Sequence, residues 1–359
     1  MAAIDTLLIA LKDRSGSDLH LAAGTQPRMR VKGHLDPIEG KAVLDDASLR
    51  ALLREITSAE QWAEYEASGD LDFAYGLPGV ARFRANYLVQ QNGAGAVLRI
   101  IPEQILTVEQ LGLPAPITRL ADLKKGLVLV TGPTGSGKST TLAAIVDHIN
   151  SKYRKHIVTI EDPVEFVHQN KASVLSHREV GSHTQGFGPA LRAAIRQDAD
   201  VVLVGEMRDR ETIALAITAA EMGMLVFGTL HTNSAAKTID RIIDAFPAKE
   251  QNQVRLSLSE SLAAVVSQLL VPTADGKGRC AVHEILLRTS ALPNIIREGK
   301  ITMLNSVIEA GRSQGMQSMD DTLFARVKEG RIRPNDAYMK ATNKARFESL
   351  SGSDEATAA

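Results

Sequence analysis

The chain has one cysteine, Cys280, among 359 residues. A single thiol excludes an internal disulfide and any zinc site built from several cysteines, and it fits a reducing cytosol. Aromatic residues make up only 4% and the formal net charge is −1. There is thus neither a supply of stacking platforms nor an excess of positive charge, which argues against a nucleic-acid channel and against bulk attraction to anionic lipid. No apolar run approaches the roughly 18 residues needed to cross a bilayer, so no membrane span is expected. The N-terminal MAAIDTLLIALKDRSGSDLHL has Asp5 inside its apolar stretch and no basic lead, and it reads as an amphipathic helix, not a signal peptide. What remains is an ordinary globular composition, 44% hydrophobic and 23% charged, long enough for two domains.

The pattern divides near residue 101. Before it, a helix over Ile4 to Lys12, a strand around Asp18 to Leu21, a hairpin-like PRMRVKGHLDPI turning at Gly33, a helical stretch from Asp45 to Gly69, and three strand-like pieces predict a small α+β domain over 1–101. In the middle piece Ala81, Phe83, Ala85 and Tyr87 alternate with Arg82, Arg84 and Asn86. Residues 102–120 carry three prolines and read as the interdomain connection. Over 121–350 the rhythm becomes strand, loop, helix, with strands expected at Leu127–Thr131, His156–Ile160, Val201–Val204 and Leu225–Thr229. This predicts a mainly parallel α/β sheet covered on both faces, with a largely helical part beyond Cys280. Residues 351–359 read as a disordered tail.

GPTGSGKST, from Gly132 through Pro133, Thr134, Gly135, Ser136, Gly137, Lys138 and Ser139 to Thr140, has the G-x-x-x-x-G-K-[ST] spacing between an apolar strand and a helical pattern. Glycines let backbone N–H groups turn toward phosphates, and the helix N-terminus adds partial positive charge. Lys138 is expected on the β- and γ-phosphates of a nucleotide and the Ser139 hydroxyl on Mg²⁺. Three more clusters fall at ends of expected strands, where open parallel sheets place ligands: Glu161, Asp162 and Glu165; Glu206, Arg208 and Asp209; His231 and Thr232. Singly, the carboxylates could cap helices and the histidine could be a core residue. Together, on one sheet edge with a phosphate loop, they have the makings of triphosphate hydrolysis: metal support, an activated water and a sensor of the γ-phosphate. Glu206 and Glu161 are the candidates for water activation and metal support. The sequence does not divide these roles, although Glu206 is favoured as base and Glu161 as metal support. Arg82, Arg84 and Arg99 are either a solvated strand face or arginine fingers acting on the nucleotide.

With these motifs in hand, the chain resembles the type IV pilus retraction ATPases of the secretion ATPase superfamily. GPTGSGKSTT, TIEDPVEFVH, VVLVGEMRD and FGTLHTNSAAKTIDRIID are similar to that family's Walker A, Asp box, Walker B and His box, in order. RFRANYLVQQNGAGAVLRIIP resembles its arginine-bearing segment and GSDLHL its N-terminal signature. The resemblance implies a PAS-like N-terminal domain, a RecA-like P-loop motor domain and a homohexameric ring. It also implies ATP with Mg²⁺, a cytoplasmic location at the inner membrane, and docking on the pilus platform protein, with a paralogous retraction ATPase as a further partner. It makes Glu206 the Walker B glutamate, Glu161 the Asp-box glutamate, His231 the His-box histidine, and Arg82, Arg84 and Arg99 the finger candidates. Pro293 stands where the family usually has arginine in its late motif, which predicts a helix that starts late. The accessory retraction paralogue is one alternative. The pilus-extension or type II secretion motor is another, disfavoured because that class as a rule has a longer N-terminal region and a four-cysteine loop. From other classes, a nucleic-acid translocase lacks its basic, aromatic channel here, and a nucleotide-gated scaffold would lack the glutamate and arginine set that this chain has.

Overall fold

In a computed structural model the described residues are 2–101 and 104–351. Residues 102–103, at the start of the expected connection, and 352–359, within the expected tail, lie outside them. The chain forms two compact units: Met1–Gln104 with Pro163–Val167, and Ile105–Asp162 with His168–Ala359.

The first unit is α+β. It contains a helix, Ala3–Asp13, strands β1 (Asp18–Ala22), β2 (Arg28–Val31) and β3 (His34–Pro37), helices Asp46–Arg54 and Ala59–Ser68, and strands β4 (Asp70–Leu77), β5 (Ala81–Gln90) and β6 (Gly93–Ile101). The strands form one antiparallel sheet in the order β3-β2-β1-β6-β5-β4. The β2–β3 hairpin turns through Lys32 and Gly33, with φ of 49° and 90°, the left-handed pair that matches the twist of a two-residue hairpin. Along β5 the pleat buries Ala81, Phe83, Ala85 and Tyr87 and turns Arg82, Arg84 and Asn86 to the other face. The helical pattern from Asp45 to Gly69 is two helices rather than one. Ser58 interrupts it, accepting from Gln61 N while the Gln61 side chain accepts from Ser58 N, a capping box that starts a new helix.

The second unit is built on seven strands: β7 (Gly126–Thr131), β8 (His156–Glu161), β9 (Val174–Glu179), β10 (Val201–Val204), β11 (Leu225–Leu230), β12 (Leu262–Pro272) and β13 (Arg279–Leu287), in the order β13-β12-β7-β11-β10-β8-β9. All neighbours are parallel except β12 and β13. Three of these strands, β9, β12 and β13, lie outside the expectation. The apolar run of β12 carries no alternation that separates a buried strand from a buried helix, and β13 lies partly in the stretch expected to be helical. Leu127 and Leu129 of β7 enter one core with the helices Arg210–Glu221, Ala235–Asp244 and Ala248–Ser261. Val128 and Val130 enter the opposite core with Leu142, Ile145 and Ile149 of the helix Lys138–Lys152. This double coverage explains why the parallel strands are apolar at nearly every position. Ile117, Leu120 and Ala121 belong to the second core, so the part of the expected connection from Ile105 onward packs with this unit. Beyond β13 come short helices, the first being Leu292–Arg297 with Pro293 in its opening turn, where its missing N–H costs no hydrogen bond. Met319, Leu323 and Phe347 from later helices cover Val271, Cys280 and Val282 of the hairpin.

Candidate active site

Register brings the four motifs to one edge. Thr131 of β7 pairs with Leu230 of β11, Val204 of β10 with Gly228 of β11, and Val204 with Ile160 of β8. The chain therefore leaves the sheet on one side into Gly132, His231, Gly205–Glu206 and Glu161. Gly205 is closely packed: a Cβ there would lie 3.2 Å from Glu161 Cα and from Ile160 O, so the neighbouring backbone would have to give way by a few tenths of an ångström. The strand ends are also cross-tied, Gly205 N to Ile160 O at 2.8 Å and Met207 N to Thr229 O at 3.0 Å, with the Thr229 hydroxyl donating to Gly205 O.

The phosphate loop between β7 and the helix Lys138–Lys152 depends on its glycines. Gly132, Gly135 and Gly137 have φ of 149°, 77° and 85°, a region that other residues enter at a cost. Lys138 is buried, and its Nζ donates to Gly132 O at 2.8 Å and to Pro133 O at 3.1 Å, which holds the ammonium across the loop. The helix begins at Gly137 with no side-chain cap, so its first N–H groups face the loop. Ser136 Oγ is buried without a hydrogen-bond partner. A glycine cradle, an ammonium, uncapped N–H groups and an unsatisfied hydroxyl together fit an anion of the size of a phosphate chain. Ser139 and Thr140 are half-buried at the same helix start.

Glu206 and His231 are in direct contact. Glu206 Oε1 lies 3.1 Å from His231 Nε2 and 2.6 Å from Arg208 Nε. Burial pushes the Glu206 pKa up, but the Arg208 and His231 contacts outweigh it and hold the carboxyl below its usual range. Glu206 therefore stays ionised at neutral pH. Asp209 serves the backbone instead: its carboxylate accepts from Thr212 N at 2.8 Å and from Thr212 Oγ1 at 2.7 Å, capping the next helix. Thr232 Oγ1 bonds Thr238 Oγ1 at 2.7 Å. Among the described residues no group of three or more His, Cys, Asp or Glu side chains could by itself hold a metal.

Arg82, Arg84 and Arg99 are on the sheet of the first unit. Arg84 and Arg99 stand directly opposite each other on β5 and β6, and Arg82 shares their face two residues away. Arg84 holds Asp72 with two bonds, Nε to Oδ1 at 3.2 Å and Nη2 to Oδ2 at 2.6 Å. Arg99 Nε donates to Asp18 Oδ1 at 2.6 Å, and Asp18 itself is buried.

A cavity of about 240 Å³ adjoins the loop, lined by Gly137, Thr140, Thr141, Gln268, Leu270 and Arg279 among others. Its wall includes buried residues that the motifs did not point to, Gln268 of β12 and His283 of β13. Burial, with the charge of Arg326 adding to it, pushes the His283 pKa down to about 4. The only signal of either in the sequence is a polar residue within an apolar strand, which needs the fold to gain meaning.

With this geometry in view, the family described as "Type II/IV secretion system protein" matches residues 3–337. The chain belongs to that family. It is 51% identical over 342 residues to the type IV pilus retraction ATPase PilT of Pseudomonas aeruginosa, covering 94% of this chain and 97% of that one. It is also 51% identical over 320 residues to a twitching motility protein of Neisseria gonorrhoeae, covering 88% and 84%. The crystal structure of the pilus retraction motor PilT with bound ADP superposes with a TM-score of 0.89 at 41% identity, over 98% of this chain and all of that one. The fold is thus that of a two-domain secretion ATPase, an N-terminal α+β domain and a RecA-like P-loop domain.

Proposed function

We propose that this chain is the ATP-hydrolysing motor of type IV pilus retraction, acting as a homohexamer at the cytoplasmic face of the inner membrane on the pilus platform protein. The observation that carries the reading is the joint placement of the phosphate loop, Glu161, Glu206 and His231 on one sheet edge, in a chain 51% identical to a named retraction ATPase over nearly its whole length. In this reading Gly132, Pro133, Thr134, Gly135, Ser136, Gly137, Lys138, Ser139 and Thr140 bind the ATP phosphates, Lys138 exchanging its two loop carbonyls for β- and γ-phosphate oxygens. The cavity past Gly137 takes the nucleoside. Mg²⁺, when bound, draws electron density from the phosphates and neutralises charge on them. Ser139 and Glu161, with Glu206 within reach, would hold it together with phosphate oxygens, as suits an ion that keeps few protein ligands. Glu206, held ionised beside Arg208 and His231, accepts a hydrogen bond from the attacking water and orients it. His231 links that carboxylate to the γ-phosphate position, so loss of phosphate is felt on the strand end of β11. Arg82, Arg84 and Arg99 stabilise phosphate charge when the nucleotide is engaged, exchanging Asp72 and Asp18 for it.

Live imaging of labelled pili tests this reading. In cells lacking the gene, pili should persist without retracting. The wild-type chain should restore retraction and Lys138→Ala should not. Normal retraction in the deletion strain would sink the assignment.

A further inference from the structure

One buried side chain grips the phosphate loop from outside it. Ser267 of β12 pairs with Thr131, so Gln268 falls beside Gly132 just as the loop begins. Gln268 is 2% exposed. Its Nε2 donates to Ser136 O at 2.7 Å, and its Oε1 accepts from Thr141 Oγ1 at 2.8 Å and from His283 Nε2 at 3.1 Å. A carbonyl can only accept, so Ser136 O fixes which end of the amide is the NH₂, and the oxygen must then receive hydrogens from Thr141 and His283. The Gln268 backbone closes on the loop as well. A Cβ at Gly132 would lie 2.2 Å from Gln268 O, and one at Gly137 would lie 2.9 Å from Gln268 Nε2. The first and last glycines of the motif are therefore glycines partly because Gln268 fills the space beside them. His283 is anchored in turn, its carbonyl accepting from Thr322 Oγ1 at 2.7 Å and from Gln317 Nε2 at 3.1 Å.

We propose that Gln268 is a positioning residue for nucleotide binding, holding the loop from Gly132 to Gly137 and the first turn of the helix after it in their phosphate-binding shape before nucleotide arrives, with His283 keeping the Gln268 amide in the required orientation. A loop with three glycines at positive φ has many unfolded alternatives, and each alternative suppressed in advance is entropy that binding need not lose. Two hydrogen bonds of Gln268, to Ser136 O and from Thr141 Oγ1, suppress them, and the third, from His283, fixes the amide that makes them. The arrangement requires a proton on His283 Nε2 and tolerates none on Nδ1, which is buried without a partner. A neutral imidazole meets both conditions, and burial keeps His283 neutral.

The inference rests on the reading of Gly132–Thr140 as the nucleotide site, and its test separates the two. Affinity for a fluorescent ADP analogue is measured on the full chain for the wild type, Lys138→Ala, Gln268→Glu, His283→Leu and His283→Gln, alongside melting temperatures without nucleotide. Gln268→Glu removes the donor to Ser136 O and sets an oxygen against it, and affinity should fall about tenfold or more, the factor that about 1.4 kcal/mol produces. His283→Leu should weaken binding about threefold or more, while His283→Gln, which restores an N–H donor, should stay within about twofold of the wild type. Wild-type affinity in Gln268→Glu would overturn the proposal, as would equal weakening in both His283 variants, which would make the position one of packing only. Unchanged affinity in Lys138→Ala would instead overturn the nucleotide-site reading beneath it.

Discussion

Glu206 and His231 leave adjacent strands and meet with 3.1 Å between Oε1 and Nε2, while Arg208 holds the same carboxylate oxygen at 2.6 Å. The contacts with Arg208 and His231 oppose the effect of burial and lower the Glu206 pKa. Removing them should raise it. For Arg208→Gln or His231→Asn, the loss of ATPase activity on acidification should therefore begin at a higher pH than in the wild type. A pH–rate profile whose acid limb does not move in either variant would show that Glu206 ionisation does not control turnover.

The arginines of the first unit can be separated into structural and functional contributions by their partners. Asp18 is buried and is held by Arg99 at 2.6 Å and Ser17 Oγ at 2.7 Å, with Arg30 at 3.7 Å. Arg99→Ala leaves this carboxylate under-satisfied and should destabilise the protein by about 1–3 kcal/mol. Arg84 and Asp72 are both exposed, so Arg84→Ala should change stability by no more than about 1 kcal/mol. In the proposed mechanism both substitutions lower turnover more than initial nucleotide binding. Thermal unfolding together with ATPase rates checks both parts. Full turnover in Arg84→Ala and in the double variant would leave these side chains only as partners of Asp72 and Asp18, with no part in turnover.

Two buried histidines should make stability depend on pH. Burial pushes the His168 pKa down to about 4, with His177 adding to this and Asp147 opposing it. His283 is likewise lowered to about 4. Between the ordinary histidine value of 6.5 and about 4, the unfolded chain binds protons that the folded chain refuses. Stability should thus be fully present above pH 6.5 and fall as pH drops toward 4, by at most about 3 kcal/mol for each histidine. His168→Gln and His283→Gln should flatten that decline in urea titrations across the range. An unchanged slope in both variants would rule out these imidazoles as its source.

The parts of the site legible in the sequence are those carried by contiguous residues. GLVLVT followed by GPTGSGKST announces a strand, a loop and a helix because apolar run, glycines and lysine adjoin one another, and the same holds for Glu161, Glu206 and His231 at the ends of their strands. Gln268 carries no such mark. Its importance comes from standing beside Gly132 across a sheet pairing more than a hundred residues away in sequence, and one glutamine in LAAVVSQLLVP looks the same whether it faces solvent or a loop. Asp209 misleads in the opposite direction. It sits in a promising cluster, but local geometry gives its carboxylate to Thr212 N. The pairing of Arg84 with Asp72 and of Arg99 with Asp18 is equally invisible, since it depends on strand register.

In the proposed mechanism Glu206 performs the chemistry while the phosphate loop performs the binding, and one substitution separates the two directly. Glu206→Gln keeps the shape and the ability to bond its neighbours but removes the negative charge. ATP affinity should stay within about threefold of the wild type, and single-turnover hydrolysis should slow by at least about a hundredfold, the scale of lost acid–base assistance. Hydrolysis at a near-normal rate in Glu206→Gln, with binding intact, would contradict the account.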